Sequence, residues 1–207
     1  MSKGEETQQR IVTEAATIFN QRGFEGSSLA ELMEATGLEK GGIYRHFSSK
    51  EELALEAFDY AWRAAFSTRI HGLDAIANGV DRLKQFIANF VGRRPPVPGG
   101  CPLLNTAIDA DDGNPALRER ARKALREWRD RLSSIITAGI EGGEIRRGVE
   151  ARKLATLIIS SLEGALMIGR LERSREALFE VQDYLESYIE SEVRLRSPRT
   201  TKPANSK

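Results

Sequence analysis

Cysteine is almost missing from this chain: Cys101 is alone among 207 residues. A single thiol excludes an internal disulfide and fits a reducing compartment. Histidine is nearly as scarce, with only His46 and His71, so a histidine-based metal site is not expected and no cofactor is implied. No apolar run approaches the roughly 18 residues of a membrane span. The opening Met-Ser-Lys-Gly-Glu-Glu has no apolar signal core, and the expectation is a cytoplasmic protein without a membrane partner. A glycine-rich phosphate loop, a serine nucleophile motif and a histidine–carboxylate pairing are also lacking, which argues against an enzyme. Strand-like alternation is absent, so the chain reads as all-α. Nor is there an excess of one charge: 31 Lys and Arg stand against 30 Asp and Glu.

What is present centres on residues 27–50. Ser28 and Glu31 have the spacing of a capping box, in which the hydroxyl and the carboxylate satisfy each other's free amides. Leu29, Ala30, Leu32 and Met33 give the helix that follows an apolar face. Thr36-Gly37 ends it, because glycine takes the left-handed cap conformation without a steric cost. Leu38 plugs the turn, and a second helix of about two turns runs through Tyr44 to Phe47. Ile43 and Phe47, four apart, face inward; Lys40, Gly41, Gly42, Tyr44, Arg45 and His46 face out. Glycine costs a helix about 1 kcal/mol relative to alanine, so two in succession make sense where the backbone meets another surface. That describes a helix-turn-helix whose second helix enters a major groove. A two-helix corner of an ordinary bundle is the other reading of the same geometry.

Three runs in this region resemble a known family. Phe24-Glu-Gly-Ser-Ser-Leu, Ala35-Thr-Gly-Leu and Gly41-Gly-Ile-Tyr-Arg-His-Phe-Ser-Ser-Lys-Glu-Glu-Leu53 are similar to the N-terminal domain of TetR/AcrR transcriptional regulators. The resemblance spans residues 8–55 and implies base-edge or backbone contacts from Lys40, Gly41, Gly42, Arg45 and His46. It implies phosphate contacts from Ser27, Ser28, Tyr44 and Lys50. Glu39 departs from the serine or threonine of many relatives; a carboxylate there either turns aside or reads a cytosine amino group. Residues 1–47 hold five basic and seven acidic side chains, a net of −2, so binding rests on a few placed cations, hydroxyls and helix N-termini.

The remaining periodicities place a helix over 5–22, closed by Gly23, and make residues 1–47 a three-helix reading head. Residues 48–195 form a larger helical regulatory and dimerisation domain, and 196–207 a disordered basic tail. Capping-box spacing occurs at both Ser48/Glu51 and Ser49/Glu52, and the helix they open links reader to sensor. Further helices are expected from about 74 to 91, from Pro102, from Asn114-Pro115 to Gly142, over 151–171 and over 175–195. Pro102 suits a first helical position. Cys101 then stands at an N-cap, where the helix dipole favours a thiolate and can lower its pKa; a small buried apolar residue is the other reading of this position. The segment Asp109–Pro115 resembles a calcium loop only briefly, since its twelfth position is Arg120 rather than glutamate.

A homodimer through the last two helices is expected: their apolar stripes carry Ser160, Ser161, Gly164 and Gly169, small residues that permit close helix approach. Two heads in one dimer match a palindromic stretch of double-stranded DNA. The expected function is a ligand-released repressor whose pocket draws on Trp62, Phe66, Phe86, Phe90, Cys101, Leu104, Asn105, Ile108, Trp128 and Glu163. Two rivals remain: a thiol-based sensor of oxidants or electrophiles working through Cys101, and a helical small-molecule carrier or enzyme.

Overall fold

The computed structural model describes residues 2–195; the tail expected to be disordered lies outside them. Regular structure among the described residues is helical, apart from one antiparallel bridge between Ile145 and Arg194. The helices are α1 (Lys3–Arg22), α2 (Leu29–Thr36), α3 (Lys40–Tyr44), α4 (Lys50–Ile70) and α5 (Gly79–Gly92). They continue as α6 (Pro102–Asp109), α7 (Pro115–Glu141), α8 (Ala151–Glu172) and α9 (Glu176–Tyr188), which ends in a π-helical turn at Ile189–Val193.

Local chemistry sets the boundaries. Ser2 and Glu5 form a capping box that starts α1 at Lys3, two residues before the expected start. Ser49, not Ser48, caps α4 by accepting the Glu52 amide at 3.0 Å. The Glu52 carboxylate turns back to the Ser48 amide and hydroxyl, which hold its carboxyl below the usual range. Helix α5 begins five residues later than expected, because Asn78 caps the amides of Val80 and Asp81. The preceding residues form a short 3-10 turn, Leu73–Ala75, and Ile76 lies outside the helical stripe.

Two cores result. The smaller holds Ile11, Val12, Ala15, Ala16, Leu32, Ile43 and Phe47, and it also takes Leu53, Ala57 and Ala61 from α4. Ala54, Phe58, Trp62 and Phe66 of the same helix belong to the larger core. A division of the chain at 47/48 therefore falls at the start of a helix that both halves share. Val97, from the proline-rich segment after α5, also packs into the head.

A polar seam joins α1 to α6. The Asn105 amide donates to the Asn20 carbonyl at 2.8 Å, the Asn20 side-chain oxygen at 3.0 Å and the Gly99 carbonyl at 2.9 Å. The Phe24 amide donates to Asp109 at 2.7 Å. Gly99 has φ 112°, and a Cβ there would stand 2.7 Å from the Asn20 carbonyl oxygen, so glycine is required for this approach. Asn105 is thus a seam residue, with its side-chain amide engaged between α1 and α6.

Helix α8 brings another correction. It contains an 18-residue window of mean hydropathy 1.5, long and apolar enough by composition to cross a membrane. Leu154, Ile158, Leu162 and Ala165 bury one side of it in the larger core, while Leu157, Met167, Ile168 and Leu171 remain exposed on the other. Gly169 serves the domain itself: a Cβ there would meet the Ser174 carbonyl oxygen at 2.5 Å. Gly164 meets nothing within 4 Å.

Replacing Asn105 by leucine strands the buried acceptors of the seam. The expected loss is about 1–3 kcal/mol of stability, read from thermal or denaturant unfolding.

Candidate DNA-reading surface and effector cavity

Helices α2 and α3 are held at a fixed angle by their turn. Gly37 lies in the left-handed region at φ 64°, and the Leu38 amide closes back on the Met33 carbonyl. Buried Ile43 and Phe47 anchor α3 from below. Lys40, Gly41 and Arg45 are exposed on its outer side, with Gly42, Tyr44 and His46 half-buried beside them. The Lys40 ammonium lies 5.9 Å from the centre of the Tyr44 ring. Glu39 occupies the N-cap of α3 but makes no side-chain cap bond and is exposed. A Cβ at Gly41 would meet nothing within 4 Å, and one at Gly42 would find only ordinary contact with Leu38. Nothing inside the molecule asks for glycine at 41.

Two expected phosphate ligands are otherwise engaged. The Lys50 ammonium donates to the carbonyls of Phe24 at 2.5 Å and Ser27 at 2.6 Å, and lies 4.4 Å from the Phe24 ring centre. It therefore clamps the loop before α2, and two of its three donors go to the protein's own backbone. Ser27 is buried, with its hydroxyl donating to the Gly23 carbonyl at 2.5 Å. Ser28 stays exposed at the N-cap of α2, where the expected capping box with Glu31 forms.

In the larger core, five of the expected pocket residues meet. Trp62 stacks on Phe66 with centroids 5.1 Å apart, and Trp128 lies about 6 Å from Trp62, Phe86 and Phe90. The space they enclose is filled by Arg69, whose guanidinium carbon lies 4.2, 4.8 and 5.4 Å from the ring centres of Trp128, Phe90 and Trp62. Arg69 is only 5% exposed. Its Nη2 donates to the Cys101 sulfur at 3.0 Å and lies 3.7 Å from Glu163. Sequence reasoning passed over Arg69, although a signal was there: it falls three residues after Phe66 and seven after Trp62, on the apolar stripe of α4.

Of the two readings of Cys101, the same cluster favours the buried one, at 1% exposure. Cys101 does occupy the N-cap of α6, but burial pushes its thiol up to about 12, with Arg69 only partly offsetting this. Burial likewise pushes the Glu163 carboxyl up, opposed by Arg69 and by the facing Cys101 thiol. Leu104 and Glu163 border an open cleft between α6, α7 and α8. Ile108 is 70% exposed and borders neither this cleft nor the aromatic cluster, which corrects its expected role.

Family models match both parts of the chain: "Bacterial regulatory proteins, tetR family" over residues 11–57 and "Tetracyclin repressor-like, C-terminal domain" over 79–185. A TetR transcriptional regulator from Chloroflexus aurantiacus J-10-FL is 47% identical, with 95% of this chain and all of that one covered at a TM-score of 0.91. The chain belongs to the TetR family. Among the TetR-family relatives, the HTH-type transcriptional repressor DhaR of a Mycobacterium species, strain GP1, is 28% identical over 82% of this chain and 85% of its own. A cysteine mutant of the regulator CifR, solved with a 26-bp double-strand operator DNA, is 25% identical at a TM-score of 0.75, covering 86% of this chain and 94% of that one.

Two outcomes are expected from this geometry. Gly41→Ala stabilises the isolated protein slightly, by about 0.5–1 kcal/mol, yet weakens DNA binding about tenfold or more by intruding on the approaching surface; melting curves and DNA titrations read the two effects. In the folded protein Cys101 reacts with iodoacetamide at pH 8 far more slowly than in the unfolded chain, because the thiolate is the reactive form; mass spectrometry over time follows the reaction.

Proposed function

We propose that this protein is a transcriptional repressor that grips a palindromic operator as a homodimer and releases it when a small molecule enters the larger core. The observation that carries the DNA part is the outer side of α3, where exposed Lys40 and Arg45 flank a glycine that no internal contact requires. Such a surface suits close approach to a groove. Lys40, Gly41, Gly42, Tyr44, Arg45 and His46 form the reading set, and Ser28 presents the N-terminus of α2 to a phosphate. The operator-bound relative CifR supports the same mode.

Dimerisation through α8 and α9 is supported by their uncovered apolar residues. Leu157, Met167, Ile168 and Leu171 line one side of α8, with Phe179 and Tyr184 exposed on α9. Gly164, in the middle of that side of α8, leaves open space for a partner helix. Two such helices from each subunit make a four-helix interface, which holds two heads one helical turn apart, roughly 34–36 Å on B-DNA.

Coupling runs along α4 and α6. Helix α4 contributes side chains to both cores, and α6 carries cleft residues Leu103 and Leu104 on the same short helix as Asn105 and Asp109 of the seam. A ligand that favours one setting of these helices shifts the spacing of the heads, provided that it binds the two states unequally. The cytoplasm, where the operator is, is the place of action.

Fragments selected from genomic DNA are expected to contain a palindrome bound less tightly as salt rises. Tyr44→Ala is expected to lose that binding with the fold intact, and binding that ignores salt and this substitution would refute the reading. Gly164→Glu is expected to yield monomers in analytical ultracentrifugation and to abolish palindrome binding without unfolding the chain.

A further inference from the structure

The cleft between α6, α7 and α8 has a volume of about 320 Å³ and apolar walls from Leu103, Leu104, Leu125 and Ile159, with Glu163 among them. A second, small cavity, of about 60 Å³, is bordered by Arg69, Cys101, Phe90 and Leu166. Because Arg69 touches Cys101 and faces Glu163 at 3.7 Å, this polar cluster stands between the two spaces.

The cluster is incompletely satisfied. Arg69 Nη1 and Trp128 Nε1 are buried donors without a partner, and both Glu163 carboxylate oxygens are buried acceptors without one. The 3.7 Å separation of Arg69 and Glu163 is too long for a hydrogen bond. Unmatched polar groups in a core are costly, and a native structure that keeps several together has a use for them.

Charge narrows what could complement them. Arg69 already supplies the one cation facing Glu163, so a cationic ligand would meet like charge from the guanidinium. An anionic ligand would compete with Glu163 for the one guanidinium that faces it. A neutral head with both an acceptor and an O–H or N–H donor answers the two kinds of unmatched group at once. The rim of the cleft does not select for charge: Arg118 and Arg122 stand there with Asp111, and Arg122 is already paired with Glu119 at 2.7 Å.

We propose that the effector is a small neutral molecule, an alcohol or an amide, whose apolar body lies against Leu103, Leu104, Leu125 and Ile159 and whose head bonds Glu163 and Arg69. The inference rests on the ligand-responsive reading above and adds the chemical class. The Glu163 oxygens are shut off from solvent, so the head reaches them by rotation of that side chain. This movement changes the polar surroundings of Arg69, which α4 carries.

Both tryptophans of the chain, Trp62 and Trp128, lie against Arg69, so intrinsic fluorescence reports occupancy directly. The full-length protein is titrated with hexyl and benzyl compounds, each as alcohol, primary amide, ammonium, carboxylate and methyl ether, while operator binding is followed in parallel. The alcohols or amides are expected to change the fluorescence and release DNA, and the ammonium, carboxylate and ether forms to bind about tenfold more weakly or worse. Glu163→Gln is expected to weaken alcohol binding about tenfold while operator affinity persists. Leu104→Phe, which narrows the cleft and leaves Glu163 and Arg69 in place, is expected to block it. If an ammonium or carboxylate binds best and releases DNA, or if both variants bind the alcohols unchanged, the proposed class is wrong and ligand release stands. If no compound of any charge alters operator binding, the ligand-responsive reading falls with it.

Discussion

One helix with two buried sides holds this molecule together. Leu53, Ala57 and Ala61 of α4 close the small core of the reading head, while Ala54, Phe58, Trp62 and Phe66 on the same 21 residues close the large one. Neither core is complete without it, so a displacement of α4 costs packing in both. The α1–α6 seam adds a second connection, in which Asn105 satisfies carbonyls that the close approach of Gly99 would otherwise leave buried. Head and sensor are therefore one mechanical unit.

The energetic opposite of that packing is the charge held inside the larger core. Arg69 sits among three aromatic rings, with a thiol and a distant carboxylate as its polar company. Cation–π contacts offset part of the desolvation of a guanidinium, but a buried pair without good geometry is a weak source of stability. Its retention fits a site whose polar groups are completed by a ligand better than it fits a device for stability. The same burial explains why Cys101 is a poor thiolate despite its N-cap position: removal from water outweighs the favourable end of a short helix.

Much of the fold was legible in the residues themselves. The Ser28–Glu31 box, Gly37, Pro102 and Asn114-Pro115 each act within a few residues of backbone, and the helices start or stop where they say. The late start of α5 was missed because the apolar spacing runs on through Ile76, while the Asn78 cap decides the boundary. In the reading head, the outward set on α3 followed from a period of 3.6 and two inward anchors. What that period could not show is how Lys50 and Ser27 are engaged: their partners are carbonyls more than twenty residues away for Lys50 and a turn back for Ser27. In the sensor, the aromatic residues were visible as apolar stripes, yet nothing in a stripe says whether its centre is empty or filled.

The sequence alone determined the helical class, the helix-turn-helix and its turn, because caps, glycine conformations and helical periodicity are short-range properties carried by neighbouring residues; the family was legible only as a resemblance in the motif around Tyr44. Only the tertiary structure decided which cations are free and which are spent, that α4 serves two cores, that Arg69 occupies the aromatic cluster and that Cys101 is sealed from water. Those outcomes depend on solvent exclusion and on partners brought together from distant parts of the chain, and the energy of a charge or a thiol is set by that surrounding far more than by its neighbours in sequence.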